Sequence, residues 1–205
     1  MWQKANLFFL NYAIIVGLHL LCNLCSAQCE YDVVSIDNSK NEFYLESKPI
    51  VLDLYETQYN GRLIEAKLIR RRNQYVIELS ITQDSYAQKL NSICFERGTK
   101  LSFLFQNNDT ATLIQFENEI CGIRRKGKND YNTVSNYSRF LLTREAYEKL
   151  KEEEITLMKI ISTGFTRTFV LKSELEIMVD KEMVVTNPSR FFIDNIPCLT
   201  HPSFD

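Results

Sequence analysis

Histidine is almost missing from this chain: two in 205 residues, His19 and His201. His19 sits inside an apolar N-terminal run, which leaves His201 as the one imidazole for a folded domain. A Ser-His-Asp or Cys-His device would then depend on a residue four positions from the end of the sequence, where a side chain is hard to hold in place. Zinc is served no better. The cysteines beyond residue 27 show no C-x-x-C spacing, and one histidine does not complete an ordinary site. Neither G-x-G-x-x-G nor a Walker sequence occurs, so no nucleotide phosphate cradle is expected. Asp53, Glu56, Glu117 and Glu119 are candidate acid/base carboxylates, but a chain with 26 acids always offers such pairs. The expectation is a protein that is not an enzyme and carries no cofactor.

Glycine and proline are also scarce, six and four, against 13 Phe and 10 Tyr. That composition suits twisted strands joined by short turns. With 45% apolar and 24% charged residues the chain is too apolar for wholesale disorder. A net charge of −2 lacks the basic face that nucleic acid requires, so no nucleic-acid partner is expected.

The N-terminus is the most informative segment. Lys4 is the only charge ahead of an apolar run from Leu7 to Leu24, and Cys25-Ser26-Ala27 closes the run with small residues. A basic start, an apolar middle and a small-x-small close are the layout of a secretory signal peptide. Residues 1–27 are therefore read as signal and 28–205 as a single β-rich domain, periplasmic or extracellular after cleavage near Ala27. An uncleaved anchor is the alternative, since a membrane helix needs about 20 apolar residues. Asn11, His19 and Asn23 interrupt the run, and membrane contact is expected only if the segment is kept.

Period-2 alternation dominates the chain beyond this segment. Glu42–Leu45, Ile50–Tyr55, Leu63–Ile69 and Tyr75–Ile81 read as strands, with turns at Lys48-Pro49, at Asn60-Gly61 and at 70–73. Ile93–Glu96, Thr99–Gln106 and Thr110–Phe116 read as a meander. Gly122–Tyr137 is polar and basic and reads as an exposed loop. Thr143 caps a helix over 143–152, with the acids Glu152-Glu153-Glu154 at its end. Ile155–Ile161 and Phe165–Leu171 form a hairpin across Gly164. Lys172–Glu182 is ambiguous between helix and strand. Residues 189–197 form a short C-terminal helix that sets Phe191, Phe192 and Ile196 against the sheet. The sum is mainly β with minor α: an antiparallel meander sheet of about eight to ten strands, curled or partly closed into a barrel.

Four cysteines remain beyond residue 27: Cys29, Cys94, Cys121 and Cys198. If Cys94 and Cys121 lie on strands separated by a third, two spacings put them roughly 9.5 Å apart, beyond disulfide reach, about 7 Å. The preferred bridge is then Cys121–Cys198, with Cys29–Cys198 as its rival and Cys94 as a buried thiol.

Several short elements resemble a group of small exported bacterial proteins of unknown function. They are the hairpin Cys94 to Phe103, the Cys121-Gly122 pair, the Leu142–Lys151 helix and the terminal Phe191, Phe192, Cys198 and Leu199. The pattern runs over about 43–200, and the resemblance implies no activity.

Two basic clusters are the nearest thing to a binding signal. Arg70, Arg71 and Arg72 occupy a hairpin tip, and Arg124, Arg125, Lys126 and Lys128 open the polar segment, with Tyr75 and Tyr131 just beyond. Converging, they would form a patch for an anionic ligand such as an acidic glycan or a lipid headgroup. Asn108-Asp109-Thr110 and Asn136-Tyr137-Ser138 match the glycosylation acceptor pattern. The functional expectation is a non-catalytic envelope or extracellular protein that binds a protein or glycan partner. The alternative is a lipocalin-like barrel holding a lipid or other apolar ligand.

Overall fold

The computed structural model describes residues 31–37, 42–86, 89–127, 131–179 and 181–200. The expected signal segment, Cys29, Lys128 and His201 lie outside the described residues. Fifteen strands occur among the described residues. In chain order they are β1 Tyr31–Asp37, β2 Glu42–Ser47, β3 Ile50–Glu56, β4 Asn60–Arg71 and β5 Gln74–Tyr86. Then come β6 Cys94–Phe95, β7 Lys100–Phe105, β8 Thr110–Gln115, β9 Ile120–Cys121, β10 Ile123–Lys126 and β11 Tyr131–Leu141. Helix α1 (Arg144–Leu150) precedes β12 Ile155–Ser162, β13 Phe165–Val170, β14 Leu175–Val179 and β15 Glu182–Thr186. A 3-10 turn at Pro188–Arg190 leads into α2, Phe191–Thr200.

Eleven strands form one antiparallel sheet in the order β1-β2-β4-β5-β11-β8-β7-β12-β13, with β3 beside β4 and β10 beside β11. The expected architecture is present: an antiparallel meander sheet, curled, not closed into a barrel, with two helices. Curling shows in the core, where Leu45, Ile64 and Leu79 from one half share a cluster with Leu101, Phe103 and Ile160 from the other. Phe191, Phe192 and Ile196 of α2 fill the space between, with Phe192 edge-on to Phe103 at 5.1 Å. At the seam the Arg62 guanidinium on β4 lies 5.0 Å from the Phe169 ring on β13, although the two strands do not pair. The space between the two halves is thus occupied by aromatic and aliphatic side chains.

Three sequence expectations need correction. The first is the loop over 122–137: β11 is a central strand running between β5 and β8. Its buried positions alternate as Val134, Asn136, Ser138 and Phe140, so two polar residues disguise the pattern. Asn136 is fully buried, and both ends of its amide are hydrogen-bonded. Its Oδ1 accepts from the Ile93 N–H at 2.7 Å, and its Nδ2 donates to the Ile81 carbonyl at 3.0 Å. Gly122 lets that amide in, since a Cβ there would stand 1.9 Å from Asn136 Oδ1.

The second concerns the cysteines. β6 pairs with β9, not with β7, so Cys94 sits directly opposite Cys121 with Cα atoms 4.0 Å apart, and the two are bridged. The bond from the Gly122 N–H to the Ile93 carbonyl flanks the pair, which marks it as the non-hydrogen-bonded kind, where side chains lie closest. The intervening β7–β8 hairpin belongs to the main sheet, so no third strand separates the cysteines. The expected Cys121–Cys198 bridge is therefore not formed. Cys198 is disulfide-bonded as well; its rival pairing with Cys29 rests on a residue outside those described.

The third is smaller: Asn60-Gly61 opens β4, and the turn lies just before it. The ambiguous 172–182 segment resolves into the β14–β15 hairpin. The helix expectation holds, with Thr143 Oγ1 accepting from the Ala146 N–H at 3.3 Å.

The solvent face of the sheet carries a charge ladder. Lys67, Glu78 and Arg139 stand opposite one another on β4, β5 and β11, with Arg139 Nε 2.7 Å from Glu78. Glu46 accepts from Lys67 and from the Tyr44 hydroxyl. Burial works against the Glu46 carboxylate, yet the hydrogen bonds from Lys67 and Tyr44 hold its pKa below the ordinary value. Burial and the Glu46 hydrogen bond push the Tyr44 phenol up to about 12.

Candidate functional site

At one end of the sheet the turn Thr57–Asn60 joins β3 to β4 and is built to hold a tyrosine outward. Thr57 Oγ1 accepts from the Asn60 N–H at 3.0 Å, and the Thr57 N–H donates to the Asn60 carbonyl at 2.8 Å. The Tyr59 carbonyl accepts from the Tyr86 N–H at 3.0 Å, tying the turn to the end of β5. Buried Ser85 donates to Asn60 Oδ1 at 2.7 Å from the same strand end. With its backbone satisfied this way, Tyr59 remains 61% exposed.

The turn walls an open pocket of about 440 Å³ whose lining includes Tyr55, Tyr59, Tyr86, Tyr131, Glu56 and Asp84. Tyr86 and Tyr131 are directly opposed on β5 and β11 and meet edge-to-face at 4.9 Å. Tyr55 and Tyr86 are each about half exposed, 53% and 47%. Four phenols around one cavity, three of them open to solvent, make an apolar surface with polar rims. Strand register supplies the charges. Glu56, Gly61 and Asp84 are opposite one another on β3, β4 and β5, so the two carboxylates flank a position with no side chain. A Cβ at Gly61 would meet Asp84 at 3.8 Å, so the floor between the acids is open rather than clashing. Burial, then Asp84 through its charge and a hydrogen bond, raise the Tyr131 pKa and keep the phenol protonated. Arg62, at the edge of the pocket, is spent on Asp53 at 2.7 Å. Glu56 and Asp84 make no ion pair among the described residues.

The expected anionic patch does not assemble. Arg70–Arg72 lie at the β4–β5 tip, while Arg125 is in register, through Thr133 and Asp84, with Gly61 at the other end of β4. Ten residues of strand separate Gly61 from Arg71, roughly 33 Å. Arg70 is committed to structure: it stacks on Phe43 at 4.8 Å and on Tyr75 at 5.6 Å. Its Nη1 donates to the Leu199 carbonyl at 2.6 Å, satisfying an end of α2. Arg71 and Arg72 are exposed, as are Arg124, Arg125 and Lys126, and Lys128 lies outside the described residues. Of the four candidate carboxylates only Glu56 reaches the pocket; Asp53 pairs with Arg62 and Glu117 with Arg139. Glu119 joins Cys94 and Cys121 in the one metal-like cluster among the described residues, but both sulfurs are in the bridge.

Tyr55, Tyr59, Tyr86 and Asp84 were not singled out from sequence. Their only local signal is tyrosine at strand ends, and the cavity arises from pairings between distant segments. A second exposed surface, Met178, Met183 and Val185 on the β14–β15 hairpin, is mainly apolar, with exposed Glu176 opposite Val185 as the polar group in its rows. No helix of the described residues is long and apolar enough to cross a membrane. No protein-family model, curated protein or solved structure matches the chain.

Proposed function

We propose that this chain is an exported, non-catalytic binding protein that engages a partner at the tyrosine-lined end of its sheet. The observation that carries the reading is the pocket itself: Tyr59 and Tyr86 are braced by backbone hydrogen bonds and yet left open to solvent. Burying such rings would remove apolar area from water, so leaving two held in the open is costly unless a partner covers them. Export is supported by the signal-like first 27 residues, and the Cys94–Cys121 bridge is compatible with an oxidising compartment. Periplasmic or extracellular residence after cleavage near Ala27, and kinship with small exported bacterial proteins, belong to the same proposal. The test compares the bridged wild type with Tyr59→Ala/Tyr86→Ala in binding to arrayed peptides and glycans, with melting curves as the folding control. A ligand held by the wild type and lost by the folded variant supports the reading. Identical binding profiles overturn it.

A further inference from the structure

Resting on that binding reading, we infer that the pocket receives a basic side chain, a lysine ammonium or an arginine guanidinium, presented by an extended segment of a protein partner. The cross-strand row carries the inference. Glu56 and Asp84 face the same side of the sheet with Gly61 between them, and neither is neutralised by a cation among the described residues. The side chain missing at Gly61 leaves a gap bounded by two carboxylates and by Tyr59, Tyr86 and Tyr131. A cation entering there meets both acids and the negative faces of phenol rings, each of which favours positive charge. An anion would meet two like charges in the same space.

Of the competing charges, Arg62 at the pocket edge is paired with Asp53, and the other is Arg125, in the same row beyond Thr133. Arg125 stands two strand spacings from Asp84, roughly 9.5 Å, about a Debye length away at physiological salt, so its repulsion is screened. A protein partner is favoured over a lipid headgroup by what surrounds the cavity. The rim is polar, with Thr57, Gln58 and Asn60 between the tyrosines, and the aliphatic residues in the lining, Leu54 and Leu63, are half-buried rather than projecting as a platform for a bilayer. Among the described residues strand β3 pairs with β4 alone, and apart from the Thr186 hydroxyl bonded to the Val51 carbonyl its other edge leaves backbone groups beside the pocket for an extended peptide.

Titration calorimetry with the full bridged chain tests this, using N-acetyl-lysine amide, tetramethylammonium, an extended Lys/Arg peptide, a neutral oligosaccharide and phosphatidylcholine vesicles. The expected result is binding of the basic peptide, competed by the two small cations. Glu56→Gln/Asp84→Asn, which keeps shape and removes charge, weakens it at least tenfold. Gly61→Val, which keeps charge and fills the floor, does the same. Retention within twofold in the charge variant overturns the inference. So does binding of the oligosaccharide or the vesicles at the tyrosines without binding of the basic peptide, an outcome that leaves the binding reading standing. If no probe binds and Tyr59→Ala/Tyr86→Ala changes nothing, both fail together.

Discussion

Asn136→Ala is the substitution that tests the assembly of the sheet most directly. Its amide is wholly buried and holds Ile93, the residue that leads into β6, to the middle of β11 and β5. Truncation strands the Ile93 N–H and takes a donor from the Ile81 carbonyl. A buried group left without a partner costs about 1–3 kcal/mol, so the expected loss is about 3 kcal/mol. With a slope of about 2 kcal/mol/M the urea midpoint falls by about 1.5 M. For a domain of this size the melting temperature falls by roughly 6–12 °C. Gly122→Ala attacks the same contact from the other side, because its methyl would collide with Asn136 Oδ1. The two changes therefore do not add: in the Asn136→Ala background much of the Gly122→Ala penalty is gone, and a double-mutant cycle shows a coupling above about 1 kcal/mol. A loss under about 1 kcal/mol for Asn136→Ala, or simple additivity, would refute this account of the amide as a buried tie.

Removing the bridge with Cys94→Ala/Cys121→Ala opens a loop with a separation of 27 residues; the chain-entropy relation gives a loss of about 3.5 kcal/mol, measured by denaturant unfolding. Non-reducing peptide mapping should return Cys94 joined to Cys121, and a Cys121–Cys198 peptide would overturn the β6–β9 pairing. Because the folded-state pKa of Glu46 is depressed, its contribution to stability is present above the ordinary value of 4.5 and is lost as pH falls through the lower folded value. Glu46→Gln should flatten that acid limb of a stability-versus-pH profile, and an unchanged limb would remove Glu46 from the ladder. The same network acts in the opposite sense at alkaline pH. Tyr44, raised to about 12 from 10, contributes stability that is present below 10 and declines as pH climbs toward 12, a decline that Tyr44→Phe should abolish. Passed through a eukaryotic secretory pathway, the chain should gain a glycan at exposed Asn108 and none at buried Asn136, as read by intact mass before and after deglycosylation.

Strands were legible where one face is mainly apolar and the other polar. β7 and β8 bury every second residue, Leu101, Phe103, Phe105 and then Ala111, Leu113, Gln115, and their hairpin comes from that period and the turn at 106–109. The capped helix at Thr143 and the Phe191-Phe192 pair were equally plain, since both signals are local. What escaped was non-local. β11 looked like a loop because Asn136 and Ser138 occupy buried positions, and only the partners Ile93 and Ile81, 43 and 55 residues away, make a buried Asn acceptable. The cysteine pairing failed for the same reason: it assumed that neighbours in sequence are neighbours in the sheet, whereas β6 leaves the meander to meet β9. The pocket needed Tyr59, Asp84 and Tyr131 from three segments, and no spacing along the chain announces them.

The buried amide and the exposed pocket belong to one physical problem, the register of β11 against β5. Tyr131 faces Tyr86, and Asp84 faces Thr133, only in the register observed. Slipping by one residue would turn Tyr131 to the opposite face and close the cavity, because side chains alternate along a strand. Polar strands hold register weakly, and β11 is unusually polar at this end, with Asn132, Thr133 and Ser135 preceding Asn136. Hydrophobic patterning alone would not distinguish one alignment from the next there. Asn136 does, since only one alignment brings its amide between the Ile93 N–H and the Ile81 carbonyl. A residue that looks like loop in the sequence is thus what pins the strand, about 17 Å along from the tyrosine it helps to place.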